Sequence, residues 1–552
     1  MPGLAALQYV STEFDTTGPR LLGRHSASEG FLKAWVRHSG ANPLTCWAGS
    51  SAEGEHFAKK VASFGSTAAT ARSGIGAERA LMEAGALWLA DPSVGAFTWY
   101  RRAHGQKLWS IVGITHTTAS DNAMDRIAAL MTTPVQSWDA LICTSKSVRA
   151  TVTTMLEAQK EYLAARLGAQ RFDTCQLPVI PLGVHCDDFT TTPDDRARWR
   201  EELGIPENGV AILQVARLTL FGKAHPVPLY LALDAAARKT GRKVHLILAG
   251  WFPSQQQEEA FQAIADRFAE TIVTHVVDGR RADVRRTIWA AADIFTLLVD
   301  NIQETFGLAP VEAMAAGLPV VVSDWDGFRD TVTHGETGFL VPSMQPLPGA
   351  GSHLEIRYAM GIDEYNGYIG ATTQSTSIDL ARAAEAFETL ITNPALRATM
   401  SEAARRRARL LYDWPVVIGQ YRDLLAELAE RRKAATEETA PLLAGKAFRP
   451  DRGDPYTLFE SYPTAPLGID LPIRRLSAGP AEVAAVAGGL QMTMAAPHLL
   501  PAPAVLDAIL ARLGAGDATL RTLFDAFPNI HRRILTAGVM WLIKYGFATT
   551  AR

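Results

Sequence analysis

Several features are scarce in this sequence, and each scarcity removes a class of protein. Cysteine is the first: four occur among 552 residues, and none forms a C-x-x-C pair. Scattered cysteines are typical of small buried hydrophobes in a reducing cytosol, and they argue against a disulfide framework or a thiolate metal site. The four are Cys46, Cys143, Cys175 and Cys186.

Long apolar runs and a large excess of one charge are missing as well. No stretch of about 18 apolar residues occurs, so no spanning helix is expected. The first ten residues lack the basic region and the apolar core of a signal peptide. A formal net charge of -3 argues against a general commitment to nucleic acid or to an anionic membrane. We therefore expect a cytoplasmic protein that contacts the cytoplasmic face of a membrane only peripherally, if at all.

What is present is a globular composition and a strand–helix alternation. Apolar residues make up 47% of the sequence, which is typical of a globular protein. A chain of 552 residues is too long for one hydrophobic core. Short β-rich runs alternate with helical stretches through residues 1–185, which indicates βαβ units on a parallel sheet. The run 178–184 is predicted to be a strand leading into a second domain at 186–415.

Five runs in this second domain lack polar alternation and are predicted to be parallel strands buried on both faces. They are 210–216, 243–249, 272–277, 294–299 and 318–323. The predicted fold class is therefore α/β, with two doubly wound domains side by side.

Three segments depart from this alternation. Residues 343–374 are predicted to be a long loop, and 416–435 a helix that returns toward the first domain. Residues 436–552 are predicted to be a linker and a helical, winged-helix-like module. The part 446–552 holds 11 Lys or Arg against 8 Asp or Glu, a difference of +3 that disfavours nucleic acid. The module is expected to dock on a protein partner or to self-associate.

Two glutamates eight positions apart, Glu304 and Glu312, form the most informative motif. Because Pro310 is tolerated only in the first turn of a helix, a helix is predicted to begin near Leu308. Its unpaired backbone N–H groups attract an anion such as a phosphate, and carboxylates beside that phosphate suit the hydroxyl groups of a sugar and a ribose. A helix N-terminus that merely favours acidic residues would explain either glutamate alone.

The residues around this motif resemble a known family. The block 292–324 is similar to the E-x7-E signature of the family 4 retaining glycosyltransferases. The stretches 178–184 and 335–341, together with Arg217 and Lys223, are similar to that family in kind and order.

The resemblance is good over residues 178–342, moderate over 375–430 and limited to the general pattern over 1–177. It implies a GT-B fold, in which two Rossmann-like domains face a cleft. The nucleotide-sugar donor would bind to the second domain and the acceptor to the first, at the place where open α/β sheets bind ligands in general.

Arg217 and Lys223 follow the first strand of the second domain, where two cations would neutralise a departing diphosphate. In the family such a pair replaces a metal ion, so the resemblance implies no metal and no other cofactor. The alternative is that the two residues are an ordinary arginine and lysine on a surface loop, without a functional role. The spacing here is one residue longer than the common family pattern, and Ala224 stands where glycine is usual.

The resemblance also implies roles for the residues of the glutamate motif. Glu304 would contact hydroxyl groups of the donor sugar and stabilise positive charge at the anomeric carbon, and Glu312 would bind the ribose. The backbone N–H groups of Phe306, Gly307 and Leu308 would point toward phosphate or sugar.

Further positions are assigned by the same resemblance. His116, after a predicted strand of the first domain, would contact the donor sugar, although a single histidine is more often structural. Gly23-Arg24-His25 would form an acceptor-side loop near the diphosphate. Gly250 and Asp278, each at the end of a predicted strand, would line the pocket of the nucleotide base, although both places also suit ordinary turns.

The expected activity is retaining transfer of a sugar from a nucleotide-diphosphate sugar to a glycan, lipid-linked or protein acceptor. Because no second carboxylate of glycosidase type is evident, front-face attack is favoured over double displacement. Two alternatives stay open: a GT-B nucleotide-sugar epimerase, and a non-catalytic sugar-nucleotide-binding scaffold that acts through residues 436–552.

Overall fold

A computed structural model describes residues 5–14, 23–476 and 502–550 and the single positions 483 and 486, without the side chains of residues 23–26. The chain divides into two units, Met1–Phe448 and Arg449–Arg552. Each unit is described by itself.

The first six strands form a parallel sheet in the order β3-β2-β1-β4-β5-β6. The strands are β1 (Ala6–Gln8), β2 (Leu44–Trp47), β3 (Thr70–Ser73), β4 (Ala86–Trp88), β5 (Ser110–Ile114) and β6 (Ala140–Ile142). The helices between and after them are α1 (Gly23–His38), α2 (Ser51–Ser63), α3 (Arg79–Ala84), α4 (Val94–His104), α5 (Asp121–Ala128) and α6 (Lys146–Leu167). Every residue of β5 is buried, as expected for a strand covered by helices on both faces.

A second parallel sheet has the order β12-β11-β10-β7-β8-β9. Its strands are β7 (Val210–Val215), β8 (Val244–Gly250), β9 (Ile272–Asp278), β10 (Ile294–Leu297), β11 (Val320–Ser323) and β12 (Gly338–Val341). Its helices are α7 (Pro193–Glu202), α8 (Pro226–Thr240), α9 (Gln255–Phe268), α10 (Ala282–Thr287), α11 (Leu308–Ala316) and α12 (Phe328–Thr331).

Counted from the first strand of each domain, both sheets have the order 3-2-1-4-5-6. In such a doubly wound sheet the order reverses beside the first strand, and the carboxyl ends of the strands there border a crevice that binds ligands. The predicted α/β class with two doubly wound domains is confirmed.

The chain continues through β13 (Ser343–Met344), α13 (Ser352–Ala359), α14 (Tyr365–Gln374), β14 (Ser377–Ile378), α15 (Leu380–Thr392), α16 (Pro394–Arg407) and α17 (Trp414–Ala434). Helix α17 packs against the first domain, where the ring of Tyr421 lies 5.2 Å from that of Phe31.

Three sequence predictions of local structure are wrong, and strand β12 was not predicted. Residues 178–184 are not a strand and make only isolated bridges, because Pro178 and Pro181 have no N–H to donate to a ladder. Strand β9 is not buried on both faces, because it lies at the edge of the second sheet, where Val273 and Val276 are exposed. The predicted loop 343–374 contains helices α13 and α14.

The second unit contains α18 (Pro455–Leu458), β15 (Ile473–Arg475), α19 (Pro503–Gly514), α20 (Leu520–Ala526), α21 (Arg532–Lys544) and β16 (Ala548–Thr550). The last three helices were predicted, whereas the antiparallel pair β15 and β16 was not. A core of its own includes Leu510, Leu523 and Leu542. None of the described helices in either unit is both long enough and apolar enough to cross a membrane.

Candidate active site

The loop 298–307, which joins β10 to α11, carries Glu304 and is called the glutamate loop below. The side chain of Asn301 holds it in place, because its Oδ1 accepts a hydrogen bond from the backbone N–H of Gln303 at 2.8 Å. Its Nδ2 donates to Thr373 Oγ1 at 2.7 Å, and its backbone oxygen accepts from Trp325 Nε1 at 3.1 Å. The position of Glu304 is therefore set by buried contacts on several sides.

Glu304 forms an ion pair with Lys223, whose Nζ lies 2.6 Å from Oε2. The backbone N–H groups of Thr305 and Phe306 also donate to this carboxylate. Burial alone would raise the pKa of Glu304, but Lys223 and the two N–H groups outweigh it and hold the pKa below its ordinary value. Glu304 is thus an ionised carboxylate in a mostly buried place.

Helix α11 begins at Leu308, as predicted, and no side chain caps its start. Gly307 precedes it with a φ of +91°, and a Cβ there would come within 2.1 Å of the Phe328 ring. Only glycine fits both requirements. The first-turn N–H groups of an uncapped helix are open to an anion, although the N–H of Phe306 is directed to Glu304 instead.

Glu312 lies in the second turn of α11 and is half-buried. Burial raises its pKa to about 7, and no cation in the described part of the chain pairs with it. A carboxyl group of this kind gains most from partners that donate hydrogen bonds, such as hydroxyl groups.

Arg217 follows β7 and is half-buried. Burial lowers its pKa, while Tyr365 and Glu304 act in the opposite direction. Its guanidinium group forms no ion pair with any carboxylate that the structure describes. The ammonium group of Lys223, in contrast, is paired with Glu304. No described carboxylate therefore takes up the five N–H donors of Arg217.

His116 lies two residues beyond the end of β5 and lines a small cavity together with Trp88, Leu182 and Trp414. Its backbone oxygen accepts a hydrogen bond from Thr305 Oγ1 at 3.1 Å. The structure thus brings His116 next to the glutamate loop, through its backbone.

The remaining predicted residues lie farther along the strand ends. Gly250 and Asp278 are paired in the register of β8 and β9. A Cβ on Gly250 would come within 2.0 Å of the Ala216 oxygen, so glycine is required for packing beside Arg217. Asp278 is 42% exposed and binds Arg280 with both carboxylate oxygens.

Gly23, Arg24 and His25 begin helix α1, and their side chains lie outside the described residues. Within the described residues, no group of three or more His, Cys, Asp or Glu side chains is arranged to hold a metal ion.

The amino end of α6 joins the two domains through residues that the sequence did not identify. Ser145 Oγ donates to Asp326 Oδ1 at 2.7 Å, and the backbone N–H of Lys146 donates to Asp330 Oδ2 at 2.8 Å. Burial raises the pKa of Asp326 to about 7. Its φ of +37° is rare for a residue other than glycine. The dipeptide Asp326-Gly327 was the one signal in the sequence, since it is typical of tight turns.

The architecture and the site together define a GT-B protein with charged groups gathered at the carboxyl edge of its second sheet. Anabaena HepE in complex with UDP has the same fold, with a TM-score of 0.51 at 16% identity, and the match covers 77% of this chain and 100% of that chain. Residues 195–346 match the family model "Glycosyl transferases group 1". This region is therefore similar to the group 1 glycosyltransferases.

Curated proteins with similar sequences have related names. The chain is 30% identical over 273 residues to the D-inositol 3-phosphate glycosyltransferase of Acidothermus cellulolyticus, a match that covers 48% of this chain and 51% of that protein. It is 31% identical over 250 residues to the phosphatidyl-myo-inositol mannosyltransferase of Mycobacterium leprae, with coverage of 44% and 51%. The chain spans about half the length of these relatives.

Proposed function

We propose that this protein is a retaining glycosyltransferase that moves a sugar from a nucleotide-diphosphate sugar to an acceptor hydroxyl group without a metal ion. The observation that carries the proposal is Arg217, a half-buried guanidinium group that no described carboxylate neutralises. It lies near the ion pair of Glu304 with Lys223. A buried cation without an anion is costly, and a diphosphate supplies the missing charge.

The proposed reaction is a front-face substitution at the anomeric carbon. The bond from that carbon to the diphosphate oxygen breaks, and the acceptor oxygen forms its bond on the same face. The acceptor's proton passes to an oxygen of the leaving phosphate, so the products are a glycoside and a nucleoside diphosphate. Negative charge grows on the leaving group, where cations and helix N–H groups stabilise the transition state most strongly.

Each charged residue then has a separate role in this reaction. Arg217 binds the departing diphosphate. Lys223 uses one of its three N–H donors on Glu304, which leaves two for the same phosphate. Glu304, ionised and held by backbone N–H groups, accepts hydrogen bonds from the transferred sugar and stabilises positive charge at its anomeric carbon. Glu312 binds the ribose, Gly250 and Asp278 border the base, and His116 contacts the sugar.

The names of similar proteins support the proposal of a nucleotide-sugar donor. HepE was crystallised with UDP and with glucose, and the curated relatives are named as glycosyltransferase and mannosyltransferase. The acceptor is proposed to be a glycan, a lipid-linked molecule or a protein. Docking of a protein partner, or self-association, is proposed for residues 436–552, and a cytoplasmic location with at most peripheral membrane contact for the whole protein.

The test is an assay of the purified protein with nucleotide-diphosphate sugars that differ in base and sugar, with release of nucleoside diphosphate as the signal. An acceptor-dependent signal is expected, and NMR of the product should show the anomeric configuration of the donor. A product of inverted configuration would contradict retention. Conversion of the donor to its epimer without acceptor would favour an epimerase, and tight donor binding without turnover would favour a scaffold.

A further inference from the structure

The glutamate loop is held at its two ends by different parts of the larger unit. Near its amino end, Asn301 donates from Nδ2 to Thr373 Oγ1 at 2.7 Å, in helix α14 that follows the second sheet. Near its carboxyl end, the buried Thr305 donates from Oγ1 to the backbone oxygen of His116 in the first domain at 3.1 Å. Glu304 therefore lies between one support within its own domain and one support that crosses to the other domain.

The peptide groups of Thr305 connect Glu304 to the first domain a second time. The N–H of Thr305 donates to Oε1 of Glu304 at 3.2 Å, and its oxygen accepts from Oγ1 of Thr144, which follows β6, at 3.4 Å. Lys223 binds the other carboxylate oxygen, Oε2, at 2.6 Å. Because a lysine side chain is long and flexible, the direction of the carboxylate depends chiefly on the backbone of Thr305.

We propose that Thr305 is a positioning residue, which makes the orientation of Glu304 depend on contact between the two domains. The inference rests on the proposed function, in which Glu304 acts at the anomeric carbon. While the hydroxyl group of Thr305 is bonded to His116, the N–H of Thr305 keeps the carboxylate in one direction. If the first domain moves away, this support is lost and only the flexible Lys223 remains. Glu304 is then fully oriented only when the domain expected to bind the acceptor is in place.

The experiment compares the same substitution at two buried threonines of the second domain. Thr305→Val removes the hydroxyl group and keeps the shape and the backbone groups. We expect kcat to fall about 5-fold, with a much smaller change in the KM for the donor, because one lost hydrogen bond has an effect of this size and Glu304 acts in the transition state. Thr296→Val is the matched control, because Thr296 Oγ1 donates to the backbone oxygen of Val321 in the neighbouring strand at 2.9 Å. Its kcat should stay near the wild-type value.

A conservative variant separates the hydroxyl group from the rest of the side chain. Thr305→Ser keeps a hydroxyl group that is able to donate to His116, so it should recover most of the turnover that Thr305→Val loses. A role in packing alone would make Thr305→Ser the worse variant, because serine lacks the methyl group that valine keeps.

A measurement without turnover separates this proposal from the proposed function. Hydrogen exchange of peptides that cover residues 302–308 reports on the N–H groups of Thr305 and Phe306, which donate to Glu304. In the absence of substrate, exchange there should be several-fold faster in Thr305→Val than in the wild-type protein or in Thr296→Val. Absence of turnover with every nucleotide sugar would contradict the proposed function, and the exchange comparison would still test Thr305.

A second variant reaches the same link from the first domain and leaves the glutamate loop intact. Thr144→Val removes the bond to the oxygen of Thr305 and should speed exchange in 302–308 by a smaller factor, since that bond is the longer one. Unchanged exchange of this segment in both Thr305→Val and Thr144→Val would overturn the proposal. An equal loss of kcat in Thr305→Val and Thr296→Val would overturn it as well, because any lost buried hydroxyl group would then have the same effect.

Discussion

The two Rossmann-like domains of the larger unit share a strand order but differ in how their buried charges are paired. In the first domain, Arg101 and Asp139 are fully buried and bonded to each other, with Nη1 and Oδ1 2.5 Å apart. Asp139, directly before β6, also accepts from the backbone N–H groups of Ile111 at 2.9 Å and Gln136 at 2.8 Å. This ion pair is closed, because it is fully buried and its hydrogen-bond partners are supplied by the protein itself.

The second domain contains a similar closed ion pair. At the other edge of its sheet it also has open charges, meaning charged groups with no ion-pair partner among the described residues. Asp293, directly before β10, accepts from Arg196 at 2.7 Å and from the backbone N–H of Ala211 at 2.8 Å. At the carboxyl edge, however, Arg217 and Glu312 have no ion-pair partner among the described residues. The difference teaches that a buried charge closed by its neighbours supports the fold, whereas one left open in a crevice is available to a ligand.

The largest effect is expected where a closed pair is broken. Arg101→Met leaves Asp139 buried without its cation, so the free energy of unfolding should fall by about 3–5 kcal/mol. Denaturant titration measures this fall. Arg196→Met is the control in the second domain, and its loss should be smaller because Arg196 is 40% exposed. Equal losses of unfolding free energy in the two variants would show that the fully buried pair contributes no more to stability than the partly exposed pair.

Removal of an open cation should affect the reaction instead of the fold. Arg217→Ala is expected to lower kcat about 100-fold and donor affinity by much less, because the charge opposes negative charge that grows on the leaving group. The free energy of unfolding should be unchanged or higher, since a desolvated cation is removed. Steady-state kinetics and calorimetry give the two numbers. Equal losses in kcat and in affinity would contradict the assigned role.

A smaller effect is expected from the open carboxyl group of Glu312, whose pKa burial raises to about 7. Ribose hydroxyl groups donate to the ionised form, so donor binding should lower this pKa. By linkage, donor affinity should then rise as pH increases through about 7, by about 10-fold between pH 6 and pH 8. Glu312→Gln cannot ionise and should remove the dependence. An unchanged pH profile in Glu312→Gln would show that another group titrates.

Features of the fold and the site were predictable from the sequence where their physical causes lie within a short segment of the chain. The start of α11 was predicted correctly because Pro310 itself restricts the backbone. Strands β7, β8, β10 and β11 were predicted as buried strands because continuous apolar runs have few other places in a fold. Strand β9 has a similar run but lies at the sheet edge and is partly exposed. The prediction of a strand at 178–184 was wrong because this apolar run contains two prolines, which cannot donate backbone hydrogen bonds to a sheet.

The parts that escaped prediction depend on contacts between distant segments. Asp326 acquires its raised pKa and its bond to Ser145 only when α6 of the first domain reaches the loop after β11. Helix α14 was missed because the Gly, Ser and Thr content of its segment resembles a loop, although its residues pack on Asn301 and Phe221. Burial and long-range pairing of this kind leave no periodic signal in a single sequence.

We propose that the charges at the carboxyl edge of the second sheet serve catalysis, and the substitution Glu304→Gln tests this proposal. Turnover and thermal unfolding should be measured on one preparation, with the exposed Glu207→Gln as the matched control. We expect turnover to fall about 100-fold in Glu304→Gln, far more than any loss of folded protein caused by breaking the ion pair with Lys223, while donor binding is retained. Full turnover, or a loss no greater than the loss of folded protein, would contradict it.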